Sequence, residues 1–151
     1  MGNWTDDTML TAAVATAATT SAIALLGHLE NGSAVAPLNA ASHMLWGEEA
    51  TTEEVDARHT LPGVAITVAG VASWAGVHEL MMPRERPSVP RALLTGAVTA
   101  VAAYVTDYHV VPKRFTPGFE KQLSRKAMFG VYATLAIALA LGSLCRDRDQ
   151  A

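Results

Sequence analysis

The stretch Val89–Val111, VPRALLTGAVTAVAAYVTDYHVV, decides how the rest of this chain is interpreted. It holds no charged residue from Ala92 to Thr106. A helix rises about 1.5 Å per residue, so this stretch is about long enough to cross the hydrocarbon core of a bilayer. Asp107 and His109 follow the apolar run. We therefore predict a membrane span whose far end carries an acid and a histidine.

Charged residues are sparse in this chain and occur in clusters. They make up 17% of the 151 residues, and hydrophobic residues make up 50%, whereas about a quarter of the residues of a soluble protein are charged. Long uncharged intervals between the clusters are typical of a polytopic membrane protein, here a single domain over 1–151. The net charge of −3 gives no sign of nucleic-acid binding, and the lone Cys145 cannot form an internal disulfide.

Three other segments are long and apolar enough to span a membrane. These segments are 8–29, 60–82 and 127–144. Together with the span 89–111, they predict an all-α integral membrane four-helix bundle. A cleavable signal peptide is the alternative for the first segment. Because Asp6 and Asp7 precede it instead of basic residues, we interpret it as a span of the mature protein. We expect 146–151 to form a short soluble tail.

Small residues recur at four-residue spacing in the spans, which lets helix backbones approach closely in lipid. The first span carries two such stripes, and we expect neighbouring helices to enclose this helix rather than leave it fully exposed to lipid. The stripes are Ala13, Ala17 and Ser21, and Ala12, Thr16 and Thr20. The most extended stripe lies in the fourth span. It serves either the bundle or a partner subunit, and its members are Gly130, Thr134, Ala138 and Gly142.

A short helix is predicted between the first two spans, over 37–46. Pro37 suits a first helical position and Gly47 a stop. Asn39 and His43 share one side of this helix. The segment is too short and too polar to span, so it forms either a re-entrant half-helix or an amphipathic helix at the membrane surface.

The segment Pro112–Lys126 combines basic and aromatic residues. Thr116 before Pro117 predicts a helix start, and Phe119 and Leu123 lie one helical turn apart. We therefore expect an amphipathic interfacial segment in the headgroup plane, attracted to anionic lipid. The alternative is a positively charged, solvated loop.

Four spans place both termini on one side of the membrane. Basic residues are almost evenly divided between the two sides, and we predict cytoplasmic termini in a bacterial cytoplasmic membrane. Whatever the orientation, the parity of the spans brings several polar residues to one face. These are His28, Glu30, Asn39, His43, His59, Asp107 and His109.

Titratable groups at membrane depth are costly and indicate function. We predict a ligand or proton pathway through Asn39, His43, Asp107 and His109. A transition metal or haem held by His28, His43 and His109 is a second hypothesis, because imidazole suits such metals. No HxxxH, HExxH or CxxC spacing supports it, so the simpler expectation is that no cofactor binds.

The opposite membrane face carries His78 and Glu79 at the end of the second span. We expect an ion pair between this end and its loop, through Arg84 and Arg86. The alternative is a proton-carrying role linked across the bilayer to Asp107.

Three functions remain open. Small-residue stripes and the absence of catalytic motifs favour a non-enzymatic protein that acts through helix association, as a homo-oligomer or an accessory subunit of a membrane complex. The second function is a transporter or channel that uses the half-helix and Asp107. The third is a haem- or metal-binding redox protein of the membrane.

Overall fold

The computed structural model of this chain describes residues 4–50 and 52–145. The all-α prediction is confirmed, since every regular element in these residues is helical. The predicted tail over 146–151 lies outside the described residues. The helices are α1 (Trp4–Asn31), α2 (Ala36–Ala41), α3 (His43–Trp46), α4 (Thr60–Met81), α5 (Val89–Val105) and α6 (Arg125–Leu144).

Four helices are long and apolar enough to cross a membrane. They are α1, α4, α6 and the helix formed by α5 with a π-helical turn over Thr106–Val110. Large apolar side chains such as Leu25, Leu94 and Phe129 are exposed on their outer faces. Contact with lipid would cover these side chains, so the architecture fits a membrane protein.

The long helices alternate in direction around a ring. α6 packs extensively against both α1 and α5, and α1 also packs against α4. α4 and α5 touch across their short connection, although α5 packs mainly on α6. We call the end with the loops at 32–59 and 111–124 the broad end, and the end with the connection at 82–88 the narrow end.

The centre of the bundle is built from small apolar residues. Ala15, Ala75, Ala100 and Ala138 pack there with a few larger side chains. Gly142 of the α6 stripe also faces inward, where an added Cβ would lie 2.7 Å from the Cα of Thr11. The inward part of this stripe therefore packs on α1 within the same chain.

The buried stripe of α1 differs from the expected one. α1 packs against α4 and α6, but Ala13, Ala17 and Ser21 are exposed and face away from these contacts. The buried residues follow the same four-residue spacing on another face, because their side chains have contacts in the bundle. They are Thr11, Ala15, Thr19, Ile23 and Gly27.

The short helix after α1 is divided in two at Ser42. Pro37 lies in the first turn of α2, and α3 ends at Gly47, whose φ of 65° favours glycine. α2 is buried against α1 and α4 at the broad end. Its approach to α4 is so close that a Cβ on Gly63 would overlap the Leu38 carbonyl. Its re-entrant path stays a prediction.

The segment before α6 contains two 3-10 turns, Lys113–Phe115 and Phe119–Lys121. The predicted helix start at Thr116–Pro117 was wrong, because Gly118 adopts a left-handed φ of 79° that interrupts a helix. Phe119 and Leu123 are buried against the bundle, and the interfacial position of this segment stays a prediction.

Candidate functional site

Five polar side chains are buried in the half of the bundle nearer the narrow end, and none is more than 3% exposed. All four long helices contribute to this group. Burial of so many polar groups among apolar helices is costly unless they bond to one another. We call them the buried polar cluster: Thr11, His78, Glu79, Thr99 and Ser143.

The hydrogen bonds of the cluster converge on Glu79. Thr11 Oγ1 and Ser143 Oγ donate to its Oε1 over 2.7 and 2.8 Å. Ser143 Oγ also lies 2.8 Å from His78 Nε2. Thr99 Oγ1 lies 3.4 Å from the other ring nitrogen, Nδ1. A single hydroxyl therefore joins the imidazole to the carboxyl group.

The predicted ion pairs of this end with Arg84 and Arg86 were wrong. His78 and Glu79 point into the bundle, whereas both arginines are exposed on the connection after α4. The physical reason is that hydroxyl groups on α1 and α6 are positioned to bond the carboxyl inside the bundle.

A cavity of about 190 Å³ lies between the cluster and the broad end. Asp107, Trp74 and Tyr132 line it, and Tyr132 donates a 2.7 Å hydrogen bond from its hydroxyl to Asp107 Oδ2. Thr19 also lines the cavity, and its buried hydroxyl has no partner among the described residues. Water fits such a cavity, because it is roomy and polar groups face it.

The cluster and the cavity are close neighbours along the bundle. Trp74 lines the cavity one helical turn before His78 of the cluster. Thr99 of α5 and Asp107 of the π-helical turn that follows are separated by about 12 Å of helix rise. The buried acid Glu79 and the partly buried acid Asp107 therefore lie in the same bundle.

Asn39 and His43, predicted for the pathway, have backbone partners at the broad end. The Asn39 side-chain amide donates to the carbonyls of Thr52 and Glu54, each over 2.9 Å. His43 Nε2 lies 2.8 Å from the Thr116 carbonyl oxygen. These contacts hold the broad-end loops in place.

The structure does not bring His28, His43 and His109 together. His28 is exposed at the end of α1, and His109 is exposed with its ring at the edge of Tyr104. Over residues 4–50 and 52–145, no group of three His, Cys, Asp or Glu side chains is placed to hold a metal ion.

His59 pairs with an acid of the loop before α4. Its Nδ1 lies 2.6 Å from Asp56 Oδ2, and its amide donates to Asp56 Oδ1 over 2.9 Å. The hydrogen bond from the ring lowers the pKa of the Asp56 carboxyl. This pair lies outside the long helices and serves the loop.

The hydroxyl partners of the two acids are not apparent from the sequence; they are Thr11, Ser143 and Tyr132. Hydroxyls are abundant in these spans, and several of them bond their own helix backbone, as Thr67 does to Gly63. A hydroxyl that bonds a buried acid can be recognised only by its position next to that acid, and this position is known only once the helix packing is known.

No protein-family model, curated protein or solved structure matches this chain. The geometry of the buried polar cluster and the cavity is therefore the basis for assigning a function.

Proposed function

We propose that this chain is a multi-pass membrane protein that carries protons across the bilayer, with Glu79 and Asp107 as the carriers. The observation that supports the proposal is the buried hydrogen-bond chain from His78 through Ser143 to Glu79. An ionisable side chain inside a membrane is expensive and marks a proton or ion path by default.

The chain can hold its proton in two arrangements without moving a heavy atom. In one, a His78 ring that is protonated at both nitrogens donates from Nε2 to Ser143, and Ser143 donates to the Glu79 carboxylate. In the other, a protonated Glu79 donates to Ser143, and Ser143 donates to Nε2. The exchange of these two arrangements moves one proton between imidazole and carboxyl.

The cavity provides the continuation toward the broad end. Water in it would reach Asp107, whose carboxyl is hydrogen-bonded by Tyr132. The unpartnered hydroxyl of Thr19 offers such water a further bonding group. A proton would then pass from the cluster by way of cavity water to Asp107 and the broad end.

The test is proton flux into liposomes that contain the purified protein and a trapped pH-sensitive dye, with flux driven by an imposed membrane potential. We expect Glu79→Gln and Asp107→Asn each to reduce the flux at least tenfold, because each removes a carrier. Glu85→Gln is the matched control, since this acid is exposed after α4. Circular dichroism checks that the variants remain helical. Wild-type vesicles no more permeable to protons than empty vesicles would overturn the proposal.

Self-association is a second candidate function, as a homo-oligomer or as a subunit of a membrane complex. One small-residue face of α4 supports it. Ala69 and Ser73 are exposed there, and a Cβ added to Gly76 would meet no atom within 4 Å. Small, open faces suit close contact with another helix in lipid.

A further inference from the structure

A long groove runs between the outer faces of α5 and α6, and we call it the lipid-facing groove. Its volume is about 1040 Å³, which is at the upper end for ligand pockets in proteins. Its walls are mostly apolar, and they include Leu93, Ala97, Met128 and Ile137. The groove is separate from the interior cavity, although Tyr132 lines both.

The groove is polar only near the broad end. Tyr104, His109, Glu120 and Arg125 line it there. Leu93 and His109 are separated by about 24 Å of helix rise. The groove is therefore long enough for an acyl chain, which extends across about half of the roughly 30 Å hydrocarbon core. One end suits a headgroup and the rest suits a hydrocarbon tail.

The charge at the polar end selects the kind of headgroup. Arg125 is exposed in the first turn of α6 and forms no ion pair among the described residues. The segment 112–126 holds a single acid, Glu120, which accepts a 3.4 Å hydrogen bond from Thr116. The same segment carries five exposed basic residues, so its net charge is positive. They are Lys113, Arg114, Lys121, Arg125 and Lys126.

We infer that the lipid-facing groove is a binding site for an anionic phospholipid. The acyl chains lie along α5 and α6, and the phosphate pairs with Arg125 under the influence of the neighbouring basic residues. Guanidinium groups bind phosphate oxygens in a bidentate manner, which favours arginine at this position. The site does not depend on the proposed proton transport.

The test is native mass spectrometry of the full-length protein in detergent with added phosphatidylglycerol or phosphatidylcholine. We expect wild-type protein to retain the phosphatidylglycerol preferentially. Arg125→Gln should weaken its retention about fivefold, the effect of one basic residue near an anionic group. Arg91→Gln is the matched control, since this exposed arginine lies in the first turn of α5 at the narrow end.

A second pair of variants tests the groove independently of charge. Ala97→Phe fills the groove and should reduce retention of phosphatidylglycerol, whereas Ala102→Phe should not, because Ala102 is exposed on α5 away from the groove lining. Equal retention of the two lipids by wild type would overturn the inference. Unchanged retention in both Arg125→Gln and Ala97→Phe would also overturn it. Inorganic phosphate that displaces the phosphatidylglycerol would identify a headgroup-only site and contradict the role of the groove.

Discussion

At the scale of single residues, the main feature is a carboxyl group that hydroxyls solvate inside the bundle. Thr11 and Ser143 take the place that water occupies around an exposed acid. A buried polar group without such partners costs about 1–3 kcal/mol, and more when it is charged. The position of Glu79 in the bundle is therefore tied to the two hydroxyls that bond it.

The Asp56–His59 pair predicts a local dependence on pH. Because the pKa of Asp56 is lowered in the folded protein, the pair stabilises the loop at pH values above the ordinary carboxyl pKa of about 3.9. This stabilisation is lost as the pH falls through the lowered pKa. We expect the His59 amide, which donates to Asp56, to lose protection from hydrogen exchange below about pH 3.9.

The measurement is the exchange rate of that amide, corrected for its intrinsic pH dependence. Asp56→Asn should remove the acid-dependent part of the protection. The amide of Gly63, which bonds the His59 backbone carbonyl over 2.9 Å, is the internal reference. Protection of the His59 amide that does not change with pH in the wild type would contradict the expectation.

At the scale of elements, α2 holds the broad end together through one side chain. Asn39 is 0% exposed and uses both ends of its amide. Its nitrogen donates to the Thr52 and Glu54 carbonyls, and its oxygen accepts from the Thr60 hydroxyl over 2.7 Å. The half-helix is thereby connected to the loop before α4 and to the first residue of α4.

Asn39→Ala should loosen this loop, because it leaves two carbonyls and one hydroxyl without their partner. The expected loss of stability is about 1–3 kcal/mol, and it should appear as faster proteolysis within 47–59. Asn31→Ala is the control, since the Asn31 amide bonds the Gln122 carbonyl at an exposed position. Cleavage at the wild-type rate in Asn39→Ala would show that the loop does not depend on this contact.

The long helices were predictable, because their apolar runs determine them. The predicted span 60–82 differs from α4 by a single residue at its end. The segment 112–126 was not predictable in the same way, since Gly118 lies so close to the short helices that an added Cβ would be 2.8 Å from the Ala40 carbonyl oxygen. Short elements of this kind depend on tertiary contacts that periodicity does not report.

The candidate site was predictable only in part. Asp107 was identified from its place after an apolar run, and the structure places it at the interior cavity. The partners of Glu79 were not identified, since Thr11 and Ser143 are far from it in the sequence. Thr11 and Ser143 face the acid because of the orientation of α1 and α6 about their helix axes, which is set by how the helices pack.

At the scale of the whole molecule, the outer surfaces of the helices differ. The α5–α6 side has the lipid-facing groove, whereas α4 presents the small residues Ala69, Ser73 and Gly76. A groove suits a lipid tail, and a flat face of small residues suits another helix. We therefore expect the two surfaces to have different neighbours in a bilayer.

Gly76→Leu tests self-association through the α4 face. A Cβ at this position would meet no atom of the monomer within 4 Å, so we expect unchanged helicity and at least a fivefold loss of crosslinked oligomer, about 1 kcal/mol. Ala102→Leu is the control, since it introduces the same side chain at an exposed position on α5. Crosslinking of wild-type protein in mild detergent is the measurement. Wild-type protein that remains monomeric would refute association through this face.

The buried polar cluster also has a consequence for biosynthesis. Ribosomes deliver the chain from its amino end, so Thr11, Glu79 and Thr99 are synthesised before Ser143. Until α6 joins the bundle, Glu79 lacks the Ser143 hydroxyl and His78 lacks its bridge to the acid. We therefore expect a chain that stops before α6 to hold a buried acid with incomplete hydrogen bonding.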